Sequence, residues 1–255
     1  MLRHFYTLRG APFRLISLIY WPLLDTIVWG YMNRFMVART GMALVSPGVL
    51  IAAVLLWEVM LRVQMGALFA LLEEFWSRNL GQLFVSPLRS GEFLVSIMLN
   101  GLMRMVIGVT PAVIGAMICF DYSIFSLGPP LLLFVINLVL TGWWIGLLIV
   151  AMLLRFGQAA EELGWTAVFG IVPLACVYYP VAILPLWLQH VAWALPPVYV
   201  FESLRALMAG GALRLDLLAE GFLLNLAYFI FAAALFFSAI RAARREGRLL
   251  HLGEF

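Results

Sequence analysis

The sequence contains no lysine: all sixteen basic residues are arginine. A phosphate-cradling P-loop needs its lysine to reach the nucleotide, so this chain holds no standard Walker A site, and Schiff-base lysine chemistry is closed as well. Cysteine is almost absent. Cys119 and Cys176 are too few for a disulfide framework or a cysteine-based metal cluster, and they read as small apolar residues within helices. The three histidines, His4, His190 and His251, are scattered, and neither a His-Glu-x-x-His nor a Gly-x-Ser-x-Gly pattern occurs. No catalytic, cofactor-binding or metal-ligating residue is therefore assigned in this chain. Charge is scarce too, at 11% of residues. With 65% hydrophobic residues and a mean hydropathy of +1.04, the chain has more apolar surface than a water-soluble domain of 255 residues could bury. The bilayer must act as its solvent.

What is present is a succession of apolar stretches. They predict six membrane spans, at about Leu15–Met36, Pro47–Leu72, Phe93–Cys119, Pro130–Leu154, Leu163–Ile183 and Leu217–Ile240. At about 20 residues per crossing, six spans use roughly half the chain and leave no room for a sizeable soluble domain. The expected fold is an all-α integral membrane protein with one membrane domain, residues 15–240. Residues 1–14, with Arg3, Arg9 and Arg14 between apolar residues, suit an amphipathic helix at the membrane surface or a basic tail. Residues 241–255 form a second basic tail. With both termini cytoplasmic, ten arginines lie inside and four outside, which fixes the expected orientation and reads the net charge of +3 as topology, with no case for nucleic acid.

Residues 184–216 fit neither a loop nor a span. Pro185, Pro196 and Pro197 break the segment, yet Trp187, Trp193 and Tyr199 keep it aromatic. Two short helices dipping into the outer leaflet explain both properties, and an extracellular loop covering the span ends is the alternative.

Two stretches carry a resemblance. Glu73-Glu74-Phe75-Trp76-Ser77-Arg78-Asn79-Leu80-Gly81-Gln82-Leu83-Phe84-Val85-Ser86-Pro87-Leu88 follows the second span, and Pro180-Val181-Ala182-Ile183-Leu184-Pro185-Leu186-Trp187-Leu188 with Leu195-Pro196-Pro197 and Glu202-Ser203-Leu204-Arg205 precedes the last. Together they resemble the first cytoplasmic loop and the re-entrant region of permease subunits of type-2 ABC transporters, at the positions expected along nearly the whole chain. Asn79 departs from the Gly-Thr pair often seen in that loop. The resemblance implies an exporter of amphiphilic, lipid-like, glycan or drug-like substrates in a bacterial inner membrane. Two permease chains, most simply a homodimer, would pair with separate ATPase subunits that bind ATP and magnesium. The loop 73–92 would then couple to the ATPase through Glu73, Glu74, Arg78, Leu80, Leu83, Phe84 and Pro87; a solvated connector with no partner is the alternative.

Ionisable residues inside spans are costly and seek partners. Glu58 and Arg62 stand four apart in acid-first order, so they share a helix face. Asp25 and Arg104 are candidate partners, and Ser96, Asn100, Arg104 and Gly108 line one face of the third span. Asp25, Glu58, Arg62, Asn100 and Arg104 thus form either a translocation surface or an internal ion-pair network. Gly142 and Gly146 make a small-xxx-small pair suited to helix packing. Trp187, Glu202 and Arg205 are candidate exit-gate residues. A different class, a secondary transporter or channel working without ATP, remains open, although no inverted repeat of broken helices is visible.

Overall fold

The computed structural model describes residues 12–40, 48–76 and 89–245. Every regular element among them is helical. In chain order these are α1 (Pro12–Thr40), α2 (Val49–Trp76), α3 (Ser90–Phe120), α4 (Pro130–Phe156), α5 (Glu161–Leu174), α6 (Leu186–Trp193), α7 (Pro196–Met208) and α8 (Leu215–Arg245), with short 3-10 turns at Ile124–Leu127, Gly157–Ala160 and Val181–Ile183.

The helix ends follow local chemistry. At the start of α3 the Glu92 carboxylate accepts the Arg89 N–H at 2.9 Å, the glutamate half of a capping box. At its end Asp121 adopts a left-handed conformation, φ 54°, and the chain turns. Pro129 and Pro130 open α4 and Pro196 and Pro197 open α7, positions where a missing N–H costs nothing.

Four helices, α2, α3, α4 and α8, are long and apolar enough to cross a membrane. At 1.5 Å per residue their 27 to 31 residues span about 40–46 Å, more than the ~30 Å hydrocarbon core. The chain is therefore a multi-pass membrane protein on length and composition. The expectation of six spans is met at these four. Helix α1 covers the expected first span with its 29 residues, but Asp25, Asn33, Arg34 and Arg39 make it less apolar. The expected fifth span is shorter than its apolar run: α5 stops at Leu174, 14 residues or about 21 Å from its start. Cys176 then takes a positive φ of 52°, and Pro180 and Pro185 keep the following chain out of helix.

Packing centres on α2, most of whose residues are buried. It lies between α3 and α4, while α1 packs on α3 and α2, and α8 packs along α4 with α7 at its N-terminal end. Glycines permit the closest approaches. A Cβ on Gly66 would overlap the Gly101 backbone, one on Gly101 would stand 2.8 Å from the Val63 carbonyl oxygen, and one on Gly142 would stand 2.7 Å from that of Met60. With little hydrophobic force between helices in lipid, such backbone contact is what holds a membrane bundle together. The crossing stretches of α3 and α8 are only 22% buried, leaving their outer faces to lipid.

Candidate functional site

Three groups of polar residues stand out. The first begins at Glu58, whose side chain is fully buried on α2. Four residues on, Arg62 turns both Nε and Nη2 to Glu58 Oε2, each at 2.8 Å. The Arg62 stem packs where α3 carries Gly108: a Cβ there would stand 3.2 Å from Arg62 Cδ and 3.2 Å from the Leu18 carbonyl oxygen of α1. Asp25 of α1 brings its carboxyl within hydrogen-bonding reach of Glu58. Tyr178, from the irregular chain after α5, stacks on Trp29 of α1, ring centroids 4.0 Å apart.

Toward the C-terminal end of α2, Arg104 of α3 donates to Glu73 at 2.7 Å and lies over the Phe69 ring at 5.1 Å. Asn100 donates to the Gly66 carbonyl at 2.8 Å. Asp25 and Arg104, candidate partners in the sequence, thus go to different acids: Asp25 meets Glu58 and Arg104 meets Glu73. Ser96, the outermost member of the expected α3 stripe, is only partly buried, whereas Asn100, Arg104 and Gly108 are buried.

The second group went unnoticed in the sequence. Asn225, fully buried on α8, accepts from Trp144 Nε1 at 3.0 Å and donates to the Asn137 carbonyl oxygen at 3.0 Å. The Thr141 hydroxyl lies 2.9 Å from Asn225 Oδ1 and 3.0 Å from the Asn137 carbonyl oxygen, and its single proton serves one of them. Asn137, Thr141 and Trp144 fall at i, i+4 and i+7 of α4, so one helix face meets one asparagine. That spacing, opposite a lone asparagine in an apolar helix, was the available signal.

The third group ties the chain after α5 to α7. Arg205 Nη1 donates to the Cys176 carbonyl oxygen at 2.9 Å and Nη2 to Glu202 Oε1 at 2.9 Å, and the same Glu202 oxygen accepts the Val181 N–H at 2.8 Å. Glu202 and Arg205 are therefore committed to holding a turn. Trp187 on α6 is 69% exposed, while Trp193 packs edge-on against Tyr199, centroids 5.0 Å apart, and Tyr199 donates to the Trp193 carbonyl. Two short helices, α6 and α7, occupy the segment between 184 and 216 that was expected to dip into the outer leaflet as a helix pair. Just beyond them Arg214 clasps Asp216 with contacts of 2.6 to 3.1 Å, and this hydrogen bonding holds the Asp216 carboxyl below its ordinary value of 3.8.

Of the expected coupling residues, Glu73 and Glu74 close α2, Glu73 in the Arg104 pair and Glu74 buried. Arg78, Leu80, Leu83, Phe84 and Pro87 lie outside the described residues, as do the expected surface helix up to residue 11 and the tail beyond Arg245. A groove of about 600 Å³ opens between the C-terminal ends of α4 and α8, lined by Leu148, Met152, Arg155, Leu235 and Ser238 among others. It contains none of the three polar groups, and its mostly apolar wall has little to orient a ligand. No protein-family profile matches the chain, and no curated protein is significantly similar to it.

Proposed function

We propose that this chain is the membrane-embedded subunit of an ATP-driven exporter, working as a pair of copies with a separate ATPase in a bacterial inner membrane, both termini cytoplasmic. The observation that carries the reading is the order of elements near the end of the chain. After the crossing helices come a helix cut short at Leu174, two short aromatic helices, and a last long helix. That order is what the resemblance to type-2 ABC permeases implies, with α6 and α7 as the re-entrant pair at the outer leaflet. The absence of lysine agrees with nucleotide binding on another polypeptide. The loop after α2 then transmits ATPase closure to the bundle, and α2, buried against α3 and α4, is the rod through which that motion spreads. Amphiphilic cargo suits a bundle whose buried polar groups stand apart from its lipid-facing surface.

The test is affinity purification from the native membrane followed by assay of the eluate. Expected are a stoichiometric ATPase subunit, vanadate-sensitive hydrolysis, and loss of both on charge reversal at Arg78. Solute movement by the chain alone in liposomes, without nucleotide, would instead establish the second reading, a secondary transporter. One observation favours that second reading: two acidic side chains, Asp25 and Glu58, face one another within the spans.

A further inference from the structure

Three formal charges meet where α1 crosses α2: two carboxyls, Asp25 and Glu58, and one guanidinium, Arg62. Both Arg62 contacts go to Glu58 Oε2 at 2.8 Å. Glu58 Oε1 is buried and receives no hydrogen bond, although the Asp25 carboxyl stands within hydrogen-bonding reach of Glu58. Two carboxylates so placed have no hydrogen between them.

The surroundings bring no second cation among the described residues. On α3, Gly108 faces the Arg62 stem, and Arg104, one turn away, is bound to Glu73 at 2.7 Å. On α7, Arg205 is bound to Glu202 at 2.9 Å. From the chain after α5 comes only the Tyr178 ring, stacked on Trp29 of α1. The cluster therefore carries one surplus negative charge in a place where an uncompensated charge is expensive.

We propose that this cluster is a proton-binding site: Glu58 Oε1 carries a hydrogen that it donates to the Asp25 carboxylate, while Arg62 stays on Glu58 Oε2. One proton removes the surplus charge, supplies the donor that Oε1 lacks, and joins α1 to α2. On release the Oε1–H bond breaks and the proton passes to water, leaving two carboxylates side by side. Like charges at that spacing repel strongly in a low-dielectric medium, so proton occupancy sets how tightly α1 rests on α2. The proposal stands on this geometry alone, independent of whether an ATPase partner exists, and either transport reading accommodates it.

Infrared difference spectroscopy of the full chain in lipid nanodiscs, in water and in deuterium oxide, reads the bound hydrogen directly. Expected is one carboxylic C=O band that shifts on deuteration, disappears as pH rises, is absent in Glu58→Gln and moves in Asp25→Asn. An apolar carbodiimide, which attacks protonated carboxyls in apolar surroundings, should label Glu58 in the unaltered protein, with the adduct located by mass spectrometry and lost as pH rises. This second arm needs no variant to fold. A band of equal size in Glu58→Gln, or no Glu58 adduct at any pH, overturns the proposal. So does loss of the band on adding sodium at fixed pH, which would assign the site to a metal cation.

Discussion

Replacing Asn225 by alanine removes the polar link between α4 and α8, the most extensively packed helix pair. Two groups lose a partner outright: Trp144 Nε1, 3.0 Å from Asn225 Oδ1, and the Asn137 carbonyl oxygen, 3.0 Å from Asn225 Nδ2. The Thr141 hydroxyl keeps its alternative acceptor, the Asn137 carbonyl at 3.0 Å. That carbonyl is thereby partly satisfied again. Interhelical hydrogen bonds in membranes are worth ~0.6 kcal/mol on average and at most ~1.7, so two of them put the loss at about 1–3 kcal/mol. Steric trapping or equilibrium unfolding in mixed micelles measures it. Trp144→Phe supplies the second edge of a double-mutant cycle, because it deletes the donor while keeping a ring against Tyr228, whose centroid is 5.0 Å away. The cycle should show a coupling of about 0.5 kcal/mol or more between the two positions. If Asn225→Ala has the stability of the unaltered chain, or if the two substitutions are strictly additive, the link contributes nothing and the reasoning fails.

Gly101→Ala and Gly142→Ala should each destabilise the bundle by about 1–3 kcal/mol through overpacking, whereas Gly91→Ala, whose added carbon meets open space, should cost nothing or stabilise by up to about 1 kcal/mol in the same unfolding assay. Arg205→Ala, made with Cys119→Ser so that one thiol remains, frees the turn at Cys176 and should raise the rate at which that buried thiol reacts with maleimide; an unchanged rate would show that the turn holds without Arg205. The Asp216 carboxyl should titrate below 3.8 by carbon NMR and return toward that value in Arg214→Ala. Because its folded value is depressed, the clasp's contribution to stability is present above the unfolded value and is lost as pH falls through the folded one. A cysteine placed at Asn79 should be shielded from impermeant reagents in intact cells, and labelling from outside would reverse the proposed orientation.

The features readable in the sequence were those set by local periodicity. Glu58 and Arg62, four apart, and Glu202 and Arg205, three apart, pair because both spacings lie close to one helical turn and so share a face. The four crossing helices follow from apolar runs long enough to span a bilayer. Other features depend on how helices rotate and at what depth they meet, which one-dimensional spacing does not encode. Hence Asp25 turned to Glu58, Arg104 turned to Glu73, and Arg205 found a carbonyl 29 residues away. The fifth stretch shows a different gap: hydropathy counts apolar side chains, but helix continuity is a property of the backbone, and the turn at Cys176 interrupts an apolar run that composition alone would carry to Ile183.

The arrangement of α2 bears on how the chain enters the membrane during synthesis. This helix ends up surrounded by protein, yet it emerges from the ribosome before α3 and α4, the helices that will enclose it. For that interval it must lie in lipid with Glu58 and Arg62, and a charged side chain at a helix centre costs ~2.5–3.5 kcal/mol on insertion scales. The two residues neutralise each other within a single helical turn and need no neighbour to do so. Insertion of α2 therefore does not wait for its partners. Glu73 also meets Arg104, a cation that arrives with the next helix. The contact between the C-terminal end of α2 and Arg104 thus forms only after α3 has been delivered beside it.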